Sequence, residues 1–185
     1  METKVTIPAL QKMKRDGRKI VGVVAWDYQI AQIADRAGVD LISVGDSVGV
    51  NLWGHGTDAE VTVDEMLICC KAVHRGAKRV LISCDIPNGP TQKGADAAVS
   101  AAIRFSKEGG ADMVKVLGDP GMVKAVVRAG VPVFAEFHGE NRGPRRSGPD
   151  IGWRFRRRES LGARDGCRSH RGRDADLLQG RAPRR

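Results

Sequence analysis

The stretch Asp40-Leu-Ile-Ser-Val-Gly-Asp-Ser-Val-Gly49 decides how the chain is read. An apolar run of Leu41, Ile42 and Val44 ends abruptly in Gly45, Asp46 and Ser47. A short run of this kind, rich in β-branched residues and flanked by helical patterns, predicts a buried parallel strand. The polar triplet then lies just past the strand's carboxyl end, where α/β folds place their ligands. A carboxylate and a hydroxyl side by side at such a point suit a metal ion or a small polar substrate.

Outward from this stretch the pattern repeats. A first helix is expected over Ile7–Lys14, with Pro8 tolerated in its first turn. A strand over Lys19–Ala25 ends near Asp27, and Gln29–Ala37 carries apolar residues at helical spacing up to a stop at Gly38. After the central strand comes a loop over Val50–Val61. Thr62 and Glu65 then have capping-box spacing at the start of a helix that ends near Arg75. The third strand is Arg79–Cys84, followed by Asp85. An alanine-rich helix is expected over Ala95–Glu108, and a fourth strand over Met113–Leu117. Asp119-Pro120 opens a helix running to about Arg128, and Gly130–Phe137 is a fifth strand with Pro132 near its start. Strict strand–helix alternation implies a parallel sheet with helices outside it. An open doubly wound sheet and part of a (β/α)8 barrel both fit. No Gly-x-Gly-x-x-Gly follows the first strand, which disfavours a dinucleotide site.

Aligned on the helix-stop glycines Gly38, Gly76 and Gly110, three segments end in Asp46, Asp85 and Asp119. The first strand adds Asp27, so four strands bring a carboxylate to one rim. Asp119, just before Pro120, reads as a helix cap, and so does Asp27. Asp46 and Asp85 lie well ahead of their helices, so capping explains them poorly and a functional role fits better. Carboxylates on adjacent parallel strands can share one divalent cation, and oxygen-only ligation with open positions suits Mg²⁺. Lys115 alternates inward on its strand when Val114 and Val116 face the helices. There it pairs with the carboxylates or holds a substrate carboxylate.

The totals bound the remaining choices. A chain of 185 residues is enough for one domain with a real core. No apolar run reaches membrane-spanning length, and Met1–Thr6 has no apolar signal region, so a cytoplasmic protein is expected. Cys69, Cys70, Cys84 and Cys167 lack metal-ligand spacing and read as buried thiols of a reducing compartment. The net charge of +9 is unevenly spread. Residues 1–137 hold 17 Lys+Arg against 16 Asp+Glu, whereas 138–185 hold 14 Arg, no Lys and 6 Asp+Glu. The chain therefore divides into an alternating portion, 1–137, and an Arg/Gly-rich irregular portion, 138–185. The second portion has too few apolar residues for a core and is expected to be disordered. With little aromatic interleaving, it is a poor nucleic-acid binder. Its composition, rich in Arg, Gly and Pro and empty of Lys, matches a GC-rich gene translated out of frame, the alternative being a natural solvated tail.

Several motifs in order carry a resemblance. Val24-Ala-Trp-Asp-Tyr28, Gly38–Gly49, Val61-Thr-Val-Asp-Glu-Met66 and Ala72-Val-His-Arg-Gly-Ala-Lys-Arg79 resemble the ketopantoate (3-methyl-2-oxobutanoate) hydroxymethyltransferase family. The resemblance covers about residues 4–137. It implies the N-terminal portion of a (β/α)8 TIM barrel of the phosphoenolpyruvate-binding type. It also implies hydroxymethyl transfer from 5,10-methylenetetrahydrofolate to 2-oxoisovalerate, a step towards pantothenate, through an enolate stabilised by Mg²⁺. Carried over, Asp46 and Asp85 are the metal ligands, and Asp46, Ser47, Asp85 and Lys115 hold the 2-oxo acid. A homo-oligomer is expected, without membrane or nucleic-acid partners.

Three departures stand out. The family has a glutamate two residues beyond the lysine, where this chain has Leu117, which cannot ligate Mg²⁺; Asp119 is a candidate substitute from the next loop. Ala135-Glu136 stands where the family has Gly-His. The family's general base is a glutamate of a later strand, and no segment here matches it, so the catalytic base is unassigned. The alternatives are a Mg²⁺-dependent lyase or mutase acting on a small 2-oxo acid, and an inactive fragment that only binds ligand.

Overall fold

The computed structural model describes residues 3–117 and 119–136. The basic portion expected from residue 138, with Cys167, lies outside these residues. Five strands form one sheet: β1 (Gly22–Val24), β2 (Leu41–Val44), β3 (Leu81–Asp85), β4 (Met113–Leu117) and β5 (Val133–Glu136). All neighbours are parallel, and the spatial order is β1-β2-β3-β4-β5. This order separates the two architectures that alternation alone leaves open. A doubly wound sheet reverses its strand order at a switch point, whereas a barrel steps always in one direction. The described residues form part of a (β/α)8 barrel.

The helices are α1 (Ile7–Arg15), α2 (Tyr28–Arg36), α3 (Val63–Gly76), α4 (Asn88–Gln92), α5 (Ala95–Lys107) and α6 (Pro120–Arg128). The starts of α2, α3 and α6 follow the cap chemistry expected of them. The Thr62 hydroxyl accepts from Glu65 N, while Thr62 N donates to the Glu65 carboxylate at 2.8 Å. Asp27 accepts from Ile30 N and Asp119 from Gly121 N, so both work as the caps their positions suggest. The loop expected over Val50–Val61 contains two short helical turns, a π turn at Gly49–Trp53 and a 3₁₀ turn at Asp58–Glu60. The five-residue α4 has no counterpart among the expected elements. Its Asn-Gly-Pro composition signals a turn, and it is too short to show a helical period.

Alternation on each strand sorts the side chains into two layers. Ile42, Val44, Ile82, Cys84, Val114 and Val116 are buried towards the helices. They meet Met66 and Val73 of α3, Phe105 of α5 and Val126 of α6 in one core. The thiols of Cys69, Cys70 and Cys84 are free and buried. Burial pushes Cys69 up to about 11, as for thiols that serve as small apolar groups. Helices α2 and α3 approach closely at Gly76, where a Cβ would fall 2.5 Å from Tyr28 O. Among the described residues no helix is long and apolar enough to cross a membrane.

At the opposite end from Asp46, Asp35 closes α2 onto the start of β3. Its carboxylate accepts from the backbone N–H groups of Lys78, Arg79 and Val80 at 3.0, 2.9 and 2.7 Å. Burial alone would raise its pKa, but these three donors outweigh burial and hold it below the ordinary value. Hydrogen bonds to a charged acceptor are the stronger kind. We expect Asp35→Ala to lower the unfolding free energy by about 2 kcal/mol at neutral pH in urea titrations. Because the folded pKa is depressed, that deficit should shrink as pH falls below about 4.

Candidate active site

The parallel register builds the site. Asp85 and Lys115 are register partners on β3 and β4, so their inward side chains lie side by side. Lys115 Nζ is 2.6 Å from Asp85 Oδ2 and 3.2 Å from Glu136 Oε2. One layer deeper, Ser43 and Ser83 are partners on β2 and β3. The Ser43 hydroxyl donates to Asp85 Oδ1 at 3.3 Å. Asp46 follows β2 after a sharp turn at Gly45, whose carbonyl accepts from Trp26 Nε1 at 2.9 Å. A Cβ on Gly45 would fall 3.1 Å from Ser47 Oγ and 3.7 Å from Asp85 Oδ2. Glycine there lets the backbone pass close to the carboxylate.

Asp46, Asp58, Asp85, Ile86, Asn88, Lys115, Leu117 and Glu136 line a cavity of about 150 Å³. An apolar cavity of that size elsewhere admits a small organic molecule, so there is room for a small ligand. Asp46, Asp85 and Lys115 therefore share one cavity. Ser47 is half-buried beside Gly45 and is not among the lining residues. Asp27 and Asp119 cap α2 and α6, and the residues lining the cavity do not include Asp119. Sequence reasoning did not single out Asp58, which accepts from Asn88 Nδ2 at 3.3 Å and ties the loop to α4 at the cavity mouth. The Thr57–Glu60 pair marks that turn: Thr57 N donates to Glu60 Oε1 at 3.0 Å. That spacing is the only sequence signal that places Asp58.

The charges do not cancel. Four carboxylates, of Asp46, Asp58, Asp85 and Glu136, surround one ammonium. Asp85 is pushed up to about 6, chiefly by burial; Lys115 pulls it back and Asp46 adds to the rise. Burial raises Asp46 as well, Lys115 opposes, and Asp58 adds to it. Burial alone would lower Lys115, but Asp85 and Glu136 outweigh it and hold the ammonium protonated. The cluster thus carries more negative charge than its lysine offsets, and a divalent cation would relieve the excess.

The donor set fits Mg²⁺. Asp46 and Asp85 offer carboxylate oxygens only. Among the described residues no group of three or more His, Cys, Asp or Glu side chains is gathered as a ready metal cage. Magnesium characteristically takes one or two carboxylates and fills its other positions with water and substrate oxygens.

A family model described as ketopantoate hydroxymethyltransferase matches residues 4–139. The chain is 47% identical over 134 residues to a 3-methyl-2-oxobutanoate hydroxymethyltransferase from Cyanothece sp., covering 70% of this chain and 51% of that protein. The chain spans about half the length of the curated relatives it matches. Among solved structures, it is similar to phosphonopyruvate hydrolase in complex with oxalate and Mg²⁺, with TM-score 0.58, 18% identity, and coverage of 70% of this chain and 51% of that one. It is also similar to 2,3-dimethylmalate lyase, a member of the phosphoenolpyruvate mutase/isocitrate lyase superfamily, with TM-score 0.55, 14% identity and coverage of 70% and 52%. At these identities the likeness shows the fold alone.

A raised carboxylate makes a signed prediction. The folded pKa of Asp85, about 6, lies above its ordinary 3.8. The wild-type fold is therefore penalised above pH 6 and relieved as pH falls towards 4. Without metal, the stability of Asp85→Asn relative to wild type should rise by on the order of 3 kcal/mol between pH 4 and 7.5. Urea unfolding in chelator-treated buffer measures this, and a flat difference would contradict it.

Proposed function

The chain belongs to the ketopantoate hydroxymethyltransferase family, and on that premise we propose that its cavity binds 2-oxoisovalerate. It does so for hydroxymethyl transfer from 5,10-methylenetetrahydrofolate, the reaction that leads to ketopantoate in pantothenate biosynthesis. The observation that carries this reading is the Lys115–Asp85 pair at 2.6 Å, with Asp46 on the same cavity wall. A small 2-oxo acid presents a carboxylate and a keto oxygen, which call for cationic partners placed close together. Asp46 and Asp85 would hold Mg²⁺, which supplies Lewis-acid polarisation of the ligand's oxygens.

The chain's own groups do the rest. Lys115 has three N–H donors, and its pairs with Asp85 and Glu136 take two. The third is available to an anionic ligand. Its charge lies where negative charge develops on the keto oxygen when the C3 proton leaves, so it favours the enolate over the ketone. Ser43 steadies Asp85 from below through its hydroxyl. Trp26 anchors the Gly45 carbonyl and so sets where Asp46 projects. Leu117, 37% exposed at the cavity wall, offers apolar surface to the branched carbon chain of the acid.

Isothermal titration with 2-oxoisovalerate tests the reading. Binding should require Mg²⁺. Asp46→Asn and Asp85→Asn should each weaken the Mg²⁺ dependence at least about tenfold, the loss of one good charged contact. Lys115→Met should weaken 2-oxo acid binding at saturating Mg²⁺ by a similar factor. Binding that is equally tight without the cation would contradict the proposal.

A further inference from the structure

The cavity holds one carboxylate more than metal binding and loop closure use. Asp46 and Asp85 would hold the cation, and Asp58 is tied to Asn88. Glu136 remains. It is the last residue of β5, with its carboxylate on the cavity wall and Oε2 at 3.2 Å from Lys115 Nζ. Its side chain is 38% exposed, so it is open to the cavity rather than locked in the core.

Resting on the reading above, we infer that Glu136 is the general base that removes the C3 proton of the 2-oxo acid. The rim order places Asp46 just after β2, Asp85 on β3, Lys115 on β4 and Glu136 on β5. An acid whose oxygens are anchored on the β2–β4 side directs its carbon chain towards β5. There Leu117 and Glu136 are register partners across β4 and β5. One is an apolar contact for the branched substituent, and the other is a proton acceptor beside the C3–H bond. The pairing matches what deprotonation next to a carbonyl needs: base at the carbon, cation at the oxygen.

The step balances without any further reagent. The C3–H bond breaks and its proton forms an O–H bond with Glu136. The bonding pair becomes the C2=C3 double bond, and the C2 oxygen takes the negative charge beside Lys115. Lys115 contacts Glu136 in the structure and would reach the oxygen of a bound acid, so one ammonium would span the donor and acceptor ends of the charge movement. The Leu117/Glu136 pair replaces the glutamate and histidine that the family resemblance leads one to expect at these positions.

The test is exchange of the C3 proton of 2-oxoisovalerate in D₂O with Mg²⁺ and without folate. It is followed by proton NMR on the full chain, alongside titration of the same acid. Wild type should exchange, and Glu136→Gln should exchange at least about 100-fold more slowly, with affinity within about twofold of wild type. Glu136→Asp should recover part of the rate. Glu136→Gln exchanging within about twofold of wild type would overturn this inference alone. So would a loss of binding as large as the loss of exchange, which would mark Glu136 as a positioning residue for Lys115. No exchange by wild type, despite Mg²⁺-dependent binding, would overturn the assignment of a base in this chain while leaving the binding reading standing. Absence of both exchange and Mg²⁺-dependent binding would overturn the two together.

Discussion

The contact between Lys115 and Asp85 is the constraint from which the rest of the site follows. Both side chains point inward from adjacent parallel strands at the same register level. Neither could be there alone. A buried unpaired ammonium or carboxylate carries a desolvation penalty of several kcal/mol. Even paired, the balance is incomplete: burial still lifts Asp85 to about 6. Asp46 and Asp58 add negative charge at short range instead of relieving it. Carboxylates perturbed by burial and by like-charged neighbours cluster at functional sites. Here four carboxylates share a cavity with one ammonium, an excess of negative charge that a cation would relieve.

The other layers of the structure serve this contact. Parallel pairing of β3 with β4 sets which residues lie abreast, and the buried Val114, Val116, Ile82 and Cys84 hold that register against slippage. A one-residue shift would turn Lys115 into the helix layer and Val114 into the cavity. Stability is concentrated at the other end of the strands, where Asp35 clamps the entry to β3 through three backbone donors. The chain thus separates a well-satisfied face from a deliberately under-satisfied one. This is the division expected of barrel enzymes, whose chemistry sits at the carboxyl ends of the strands.

Much of this was legible in the sequence. Strand–helix alternation located all five strands, and the spacing from helix-stop glycines lined up Asp46 and Asp85. Inward alternation on Met113–Leu117 placed Lys115. These signals are local and periodic, so one chain suffices to read them. Barrel and doubly wound sheet could not be separated, because alternation says nothing about spatial order. Ser43 could not be assigned a partner, since its contact with Asp85 depends on the register of two strands 42 residues apart. Asp58 was missed because its turn is three residues long and has no period. Ser47 stood out as the hydroxyl next to Asp46 at the strand end; its Oγ lies against Gly45, and the lining of the cavity does not include it.

The central claim is that Asp46, Asp85 and Lys115 form one site where a divalent cation and the oxygens of a 2-oxo acid meet. Paramagnetic broadening tests it most directly, with Mn²⁺ in place of Mg²⁺ and 2-oxoisovalerate labelled with ¹³C. The account predicts that the C1 and C2 resonances broaden far more than the methyl carbons in the presence of the chain. It further predicts that Asp85→Asn abolishes the effect. Equal broadening of all carbons, or broadening that survives in Asp85→Asn, would contradict it.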